Sequence, residues 1–336
     1  MLGHILLTAV NAVAPIVLLI ALGYWLKKRK LLDGNFLKTA NWLVFHVCLP
    51  AMLFVNVYSI ESITNVRWDI IGYCVVAITV LFVIGWGLGV TGTKDRSRIG
   101  AIWQCTFRSN FAIIGLPLAQ SLGGDAGAAM AAVLSAFTIP FFNFYSIAAL
   151  SVYTGKRKNF WATVKNIFTN PLTIGVLAGI GALLLRAAQI ALFDKVVFSL
   201  ERDLPFLHKT LENLKAITSP LALIVLGGQS EFSAVRGMLK EIAVATGARI
   251  VLAPVLALTG ALVLSAMGKM PCGNGDIAAI IALFGSPVAV SSAIMAANMD
   301  CDKQLATQLV VWTSVLSVAT IFLTVCILMG AGFLVI

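Results

Sequence analysis

A polar run, Arg108-Ser109-Asn110, lies inside a long apolar segment and shortly before Gly115-Leu-Pro117. Proline removes a backbone donor and clashes with the preceding helical turn, and glycine loosens the backbone beside it. Within hydrocarbon, such a break persists only where it is buried in protein or lines a cavity. A broken helix that carries polar groups therefore indicates a transporter-type binding site, and the alternative is a proline kink that only aids packing.

The same motif returns as Gly285-Ser286-Pro287, at a shift of 170 residues (287 − 117 = 170). The shift also superposes other pairs, namely Asp33 on Asp203, Phe36 on Phe206, Pro50 on Pro220 and Leu53 on Leu223. Near the start of each half the shift is 156, which superposes Pro15 on Pro171 and Gly23 on Gly179. This shared order predicts an internal repeat, with halves at residues 1–165 and 166–336.

The composition places the chain in a membrane. Hydrophobic residues make up 60% of it and charged residues only 11%, whereas soluble domains carry about 25% charged residues. Because a helical span needs about 20 apolar residues, we predict an all-α protein with ten spans. They lie near residues 5–26, 36–59, 69–91, 98–122, 126–152, 170–193, 207–228, 237–267, 276–298 and 304–333.

Basic residues predict the orientation. They cluster at Lys27–Lys30, at Lys94–Arg98 and at Lys156–Lys158, whereas the alternate connections are poor in lysine and arginine. By the positive-inside rule these three connections face the cytoplasm. We therefore expect a protein integral to the cell (cytoplasmic or inner) membrane, with both termini outside.

A repeat of five spans inverts the second half relative to the first, because five is odd. This is the inverted-repeat plan of secondary transporters. Spans four and nine would then be equivalent, would both break at Gly-x-Pro, and would cross near the middle of the membrane. Half-helix N-termini at such a crossing carry partial positive charge and N–H donors, which favours an anion as the ligand.

At this point the chain resembles the auxin efflux carrier family, whose members include plant PIN-type auxin exporters and bacterial carriers of malate or malonate. Asn110-Phe-Ala-Ile-Ile-Gly115-Leu-Pro117-Leu118 is similar to the crossover motif of the plant exporters. Arg249 followed by Pro254 resembles their Arg-x4-Pro, and Ile139-Pro-Phe-Phe-Asn143 is similar to bacterial members.

The resemblance implies a scaffold domain from spans one, two, six and seven, and a transport domain from spans three to five and eight to ten. It also implies elevator-like alternating access and a homodimer, as in plant members. The expected partners are a small organic anion and the lipid bilayer.

The candidate substrate-binding residues lie at the two breaks and within spans five and eight: Asn110, Gly115, Pro117, Asn143, Arg249, Gly285, Ser286, Pro287 and Ser291. Secondary candidates are Arg108, Gln104, Ser292 and His46. Several have a second interpretation. Arg249 either meets substrate charge or pairs with backbone carbonyls, Arg108 binds substrate or extends to the interface, and the serines contact substrate or repair freed carbonyls. His46 is either a proton relay or an ordinary interior residue.

The sequence also argues against other functions. No carboxylate lies deep within a predicted span, so a sodium site or a carboxylate proton relay is disfavoured. No metal-binding cluster, nucleophilic triad or phosphate-binding loop stands out. We therefore expect no enzyme activity, cofactor, metal or nucleic-acid partner. The function predicted is secondary transport of a small mono- or dicarboxylate, and the alternative is a membrane-embedded ligand sensor of the same fold.

Overall fold

The computed structural model describes residues 14–15, 18–59, 67–153, 169, 171–229, 235 and 237–335. Residues 18–28 form α1. The helices that follow are α2 (Gly34–Tyr58), α3 (Trp68–Gly92), α4 (Arg96–Phe107), α5 (Leu116–Tyr153), α6 (Pro171–Phe193), α7 (Leu200–Asp203), α8 (Pro205–Gln229), α9 (Leu239–Ala266), α10 (Asn274–Gly285), α11 (Val290–Asn298) and α12 (Lys303–Gly330). The predicted cytoplasmic cluster Lys156–Lys158 lies outside the described residues.

Six stretches within the described part of the chain are long and apolar enough to cross a membrane, and they lie in α2, α3, α5, α6, α9 and α12. This makes the protein an integral, polytopic membrane protein. The fourth and ninth predicted spans are each built from two helical pieces, so neither is a continuous span. Much of the first predicted span lies outside the described residues. The count of ten crossings therefore stays a prediction.

Aspartates define where three of the helices begin. The carboxylates of Asp33, Asp95 and Asp302 accept backbone N–H groups at the starts of α2, α4 and α12, over 2.6, 2.9 and 2.9 Å. A side-chain acceptor at this position satisfies one of the first-turn donors that a helix leaves without a partner. Gly124 (φ 59°, ψ −148°) has a non-helical backbone conformation that suits only glycine. It divides α5 into a short first part and a long second part.

Prolines account for three widened turns. π-Helical stretches cover Val44–Cys48, Phe111–Gly115 and Ala248–Leu252. Each of them ends two residues before a proline, at positions 50, 117 and 254. A proline ring collides with the carbonyl four residues earlier, and a wider turn accommodates it.

The helices form two groups of close neighbours. In one group α2 packs along α6 and α8, and α1 approaches α8 at Gly23, where any Cβ would overlap the carbonyl of Ile224. In the other group α3 packs along α4, α5 packs along α10, and α12 packs against α9 and α11. The second group carries both broken segments.

Ion pairs connect neighbouring helices at both ends of the second group. Arg98, in the first turn of α4, contacts Glu241 at 2.9 Å and Asp302 at 3.2 Å. Arg67, just before α3, contacts Asp276 of α10 at 3.1 Å. Because α3 and α4 are consecutive antiparallel helices, the two pairs lie at opposite ends of the helix group.

Candidate functional site

The two broken segments meet at their breaks through backbone hydrogen bonds. The Asn110 amide donates to the Pro287 carbonyl over 2.8 Å, and the Ala289 amide donates to the Arg108 carbonyl over 3.4 Å. These bonds pair residue 109 with residue 288 as a short antiparallel bridge. Each broken segment thereby supplies hydrogen-bond partners for backbone groups that the interruption of the other segment leaves free.

Local sequence explains the second break. α10 ends at Gly285 and α11 begins at Val290, which is where Gly285-Ser286-Pro287 predicts an interruption. Ser286 is extended (φ −62°, ψ 146°). A residue that precedes proline is pushed out of the helical region, so α10 stops here.

The prediction for the first break was wrong in position. α4 ends at Phe107, and residues 108–110 are non-helical, whereas Gly115 and Pro117 lie beyond the break, in the helical part that follows it. The break therefore falls on the polar run itself. No proline acts here, and the pairing with Pro287 and Ala289 holds the chain open.

The same difference changes the alignment of the two halves at the breaks. α4 and α10 are both 12 residues long, and their last residues are Phe107 and Gly285. The shift between these ends is 178 (285 − 107), whereas the Gly-x-Pro motifs predicted 170. The two Gly-x-Pro motifs are therefore not opposite each other where the two broken segments cross.

Arg249 binds backbone carbonyls on one side of the crossing. Its Nε donates to the Ser286 carbonyl at 3.0 Å, and its Nη1 donates to the Phe107 carbonyl at 3.1 Å. Its Nη2 donates to the carbonyls of Leu283, Phe284 and Ser286 at 3.1, 3.1 and 2.9 Å. Since α4 and α10 both end here, the guanidinium neutralises the partial negative charge of two helix C-termini. Arg249 is fully buried and does not line the cavity described below.

Arg108 lies on the other side, where it binds side chains. Its Nη1 donates to Ser146 Oγ at 2.7 Å and to the Phe142 carbonyl at 3.2 Å. Its Nη2 donates to Asn143 Oδ1 at 2.8 Å and to Ser291 Oγ at 3.0 Å. All four acceptors are neutral. Among the described residues, neither Arg108 nor Arg249 forms an ion pair.

A cavity of ≈ 50 Å³ opens beside Arg108, between the two helix groups. Its polar lining from the broken segments and α5 comprises Arg108, Ser109, Asn110, Asn143 and Ser291. α2 and α8 close the opposite wall with Leu49, Met52, Leu53, Thr218, Ser219 and Ala222. Ala112 and Val290, in the first turns of the two helical pieces that leave the crossing, also line it, so both N-termini border the cavity.

The polar atoms left over around this cavity are mainly donors. Asn110 Nδ2, Asn143 Nδ2 and Arg108 Nε are buried without a hydrogen-bond partner, and so is the hydroxyl of Ser109. A buried donor without a partner costs about 1–3 kcal/mol. An acceptor in the cavity would remove this cost, and a negatively charged acceptor would also offset the charge of Arg108.

The remaining sequence candidates lie elsewhere. Ser286 is fully buried, and its hydroxyl donates to the Ala282 carbonyl at 2.6 Å, which is the repair role rather than ligand contact. Gln104 donates to Met295 Sδ at 3.6 Å. Gln104, Ser292, Gly115, Gly285 and Pro287 are absent from the cavity lining, and Pro287 contributes through its backbone carbonyl. The side chain of Pro117 is not among those described.

His46 lies in the π-helical stretch of α2, away from the breaks. Its Nδ1 lies 3.0 Å from the Trp42 carbonyl, and its ring stacks on Trp42 at 4.7 Å. It lines neither the cavity beside Arg108 nor the larger cavity discussed below. His46 is only partly buried, so its role as a proton relay or as an ordinary interior residue stays a prediction.

Sequence reasoning placed Ser109 in the polar run without naming it as a candidate, and it missed two further polar residues of the cavity, Thr218 and Ser219. A usable signal exists for the last two, because Thr218-Ser219 directly precedes Pro220, one of the prolines that mark the repeat. Thr218 Oγ1 donates to the Cys48 carbonyl at 3.1 Å, next to Pro50 on α2. Among the described residues, no group of three or more histidines, cysteines or carboxylates could hold a metal ion.

These features define a polytopic helical membrane protein with a cationic cavity between two helix groups. Residues 8–160 match the model of a family described as membrane transport protein. The matched part includes the first break and Asn143, and the matched family is one of membrane transporters. No curated protein matches the chain.

Proposed function

We propose that the protein is a secondary transporter that binds a small organic anion, a mono- or dicarboxylate, in the cavity beside Arg108. One observation carries this proposal. A buried guanidinium without a carboxylate partner among the described residues faces a cavity where Asn110 and Asn143 each retain an unused amide donor. A carboxylate offers the missing negative charge and up to four acceptor positions.

The two buried arginines have different roles in this proposal. Arg249 is saturated by carbonyls of the helix C-termini, so it stabilises the crossing. Arg108 has one donor left and lies on the cavity side, next to the first turns that begin at Phe111 and Val290. Two helix N-termini and one guanidinium therefore act on the same small volume.

The position of the cavity supports alternating access. One wall belongs to the helix group that contains both breaks, and the other belongs to α2 and α8. A movement of one group past the other would carry an anion held at the breaks while Leu49 and Met52 stay behind. We propose that α1, α2, α6 and α8 are the scaffold domain, that the other long helices are the transport domain, and that the motion is elevator-like.

Glycine contacts support the inverted repeat within the scaffold domain. A Cβ at Gly23 would overlap the Ile224 carbonyl, and a Cβ at Gly179 would lie 3.0 Å from the Phe54 carbonyl. The glycines differ by 156 (179 − 23) and their partners by 170 (224 − 54), which are the two shifts read from the sequence. One close approach thus recurs between α1 and α8 and between α6 and α2, as a pseudo-two-fold axis requires.

The test compares a dicarboxylate with its neutral diamide. We expect malonate to raise the Tm of the purified protein and to exchange across proteoliposome membranes, and malonamide to do neither. Loss of one hydrogen bond to a charged group costs about 1.5–3 kcal/mol, or roughly ten- to a hundred-fold in affinity. Asn110→Ala and Asn143→Ala should show such losses, whereas Asn213→Ala, at an exposed position of α8, should not.

If malonate gives no response, a panel of other mono- and dicarboxylates with matched amides extends the same comparison. The proposed anion site would be ruled out if acids and their amides gave equal changes in Tm and equal exchange throughout, or if Asn110→Ala kept full affinity. Binding without any flux would favour the ligand sensor.

A further inference from the structure

A second cavity, ≈ 650 Å³ in volume, lies between the two helix groups and is lined by three lysines. Lys27 belongs to the end of α1, Lys38 to α2 and Lys303 to the start of α12. No aspartate or glutamate is among its described lining residues. Basic side chains from both helix groups thus face one space.

This cavity lies along the same seam as the cavity beside Arg108. α2, α8 and α11 line both cavities. On α2 the linings are separated by the step from Trp42 to Leu49, and seven residues of helix correspond to about 10 Å. On α8 they are separated by the step from Gly228 to Ala222. An anion in the second cavity would therefore be about two helical turns from the breaks.

The second cavity belongs to one identifiable end of the molecule. Lys303 follows Asp302, whose carboxylate accepts from Arg98 Nε at 3.2 Å. The cavity therefore lies at the end where α4 and α12 begin, beside the basic cluster Lys27–Lys30. By the positive-inside rule this end faces the cytoplasm.

We propose that the lysine-lined cavity is a second anion-binding site, a vestibule that binds carboxylates before they reach the breaks or after they leave them. This inference rests on the proposed function, since it assigns the vestibule to the same substrate class. Lysine ammonium groups are mobile point charges, which suits loose capture rather than fixed geometry. Lys27 and Lys38 alone place two of them around one space, which favours dicarboxylates over monocarboxylates. Positive potential in a cleft also raises the local concentration of anions.

The polar wall of the vestibule fits a hydrated anion. Asn41 Oδ1 is buried without a partner, and it can accept a hydrogen bond from a water or a ligand hydroxyl. Asn298 lines the cavity from α11 and is exposed, with its Nδ2 donating to the Ile294 carbonyl at 2.8 Å. A cysteine at position 298 would therefore report occupancy of the vestibule.

The experiment measures how fast Asn298→Cys reacts with an anionic methanethiosulfonate in an Asn110→Ala background, where binding at the breaks is weakened. Cys272 and Cys326, the two natural cysteines that are not fully buried, are replaced by alanine. At a concentration of about twice its Kd, malonate should slow labelling by about threefold, since protection follows one plus the ratio of ligand to Kd. Malonamide should not slow it, and Lys27→Gln/Lys38→Gln should remove the protection.

A second readout needs no ligand. The ratio of labelling rates for an anionic and a cationic reagent should fall by about tenfold in Lys27→Gln/Lys38→Gln, because the potential in the cleft is lowered. The proposal would be overturned if Lys27→Gln/Lys38→Gln and its parent protein gave the same ratio, or if malonamide protected position 298 as well as malonate does. Lys209→Gln, at an exposed position on α8, is the matched control.

Anionic lipid headgroups share the chemistry of the substrate, so labelling is repeated in phosphatidylcholine vesicles with and without phosphatidylglycerol. Protection by malonate in pure phosphatidylcholine supports the vestibule. If phosphatidylglycerol alone slows labelling, and malonate has no further effect in either kind of vesicle, the cavity is a lipid-headgroup site and not a vestibule for the substrate. If malonate protects position 298 but is not transported, the vestibule stands and the proposed function fails. If malonate is transported without protection, the reverse holds.

Discussion

The backbone amide of Asn110 donates to the carbonyl of Pro287 over 2.8 Å, so the residue with a free side-chain donor is held by the residue that interrupts the other segment. Proline has no N–H to give, but its carbonyl remains a full acceptor. The second break therefore fixes the position of the first. A change at Pro287 should be felt at Asn110, although the two residues are distant in sequence.

The two Gly-x-Pro motifs should respond differently to substitution. Pro287→Ala returns an N–H to the break and frees Ser286 to become helical, so α10 can extend and the pairing with Asn110 is weakened. We expect uptake of the anion to fall more than tenfold, against less than about threefold for Pro117→Ala, since helix interruption by proline costs about 3 kcal/mol. Flux at matched protein levels measures this. Equal losses in the two variants would mean that residues 115–117 also maintain the break.

Arg249→Gln should impair stability rather than recognition. Its guanidinium satisfies carbonyls at the ends of both α4 and α10, and each buried acceptor left without a partner costs about 1–3 kcal/mol. We expect a clear fall in Tm without ligand, and near-normal anion affinity in the fraction that remains folded. The Tm of Arg249→Lys, which keeps the charge but not the fork of donors, should lie between those of the wild-type protein and of Arg249→Gln.

Arg108→Gln should show the opposite pattern. Its guanidinium faces the cavity and its partners are neutral, so its charge is available to the ligand. We expect carboxylate affinity to fall by roughly ten- to a hundred-fold, for the loss of about 1.5–3 kcal/mol. Binding isotherms at several salt concentrations, with Tm in parallel, separate the two arginines. A loss of Tm as large as that of Arg249→Gln, with affinity intact, would contradict this assignment.

The ion pair between Arg98 and Glu241 should couple α4 to α9. The 2.9 Å contact is partly buried, with side-chain exposures of 25% and 12%. A double-mutant cycle with Arg98→Gln and Glu241→Gln should give a coupling free energy of about 1 kcal/mol, at the upper end for surface pairs. Added salt should reduce it. Additive effects of the two substitutions would show that the helices are held by packing alone.

Cysteine labelling in whole cells tests orientation. The structure places Lys27 in one cavity with Lys303, whose neighbour Asp302 contacts Arg98, so the first two basic clusters lie at the same end. Lys30→Cys should therefore be shielded from an impermeant thiol reagent, and Lys195→Cys, in the loop before α7, should react. Reaction of Lys30→Cys from outside would reverse the topology.

Much of this architecture follows from local sequence, because membranes and prolines impose local rules. Long apolar stretches with few charges specify helices, and the observed bounds of α3 and α6 lie within one residue of the predicted spans at 69–91 and 170–193. The break at Ser286 also follows from local rules, since the residue before proline leaves the helical region in any context.

The tertiary structure alone decided where the first segment breaks and which arginine faces the cavity. No local signal stops α4 at Phe107; the chain opens there because Pro287 and Ala289 offer backbone partners across the crossing. Arg108 and Arg249 are the same residue type in similarly apolar surroundings, and sequence reasoning favoured Arg249 as the ligand. Their roles differ because one guanidinium meets helix C-termini, rich in carbonyls, and the other meets hydroxyls and amides beside helix N-termini. Helix ends are located by packing, which sequence periodicity does not record.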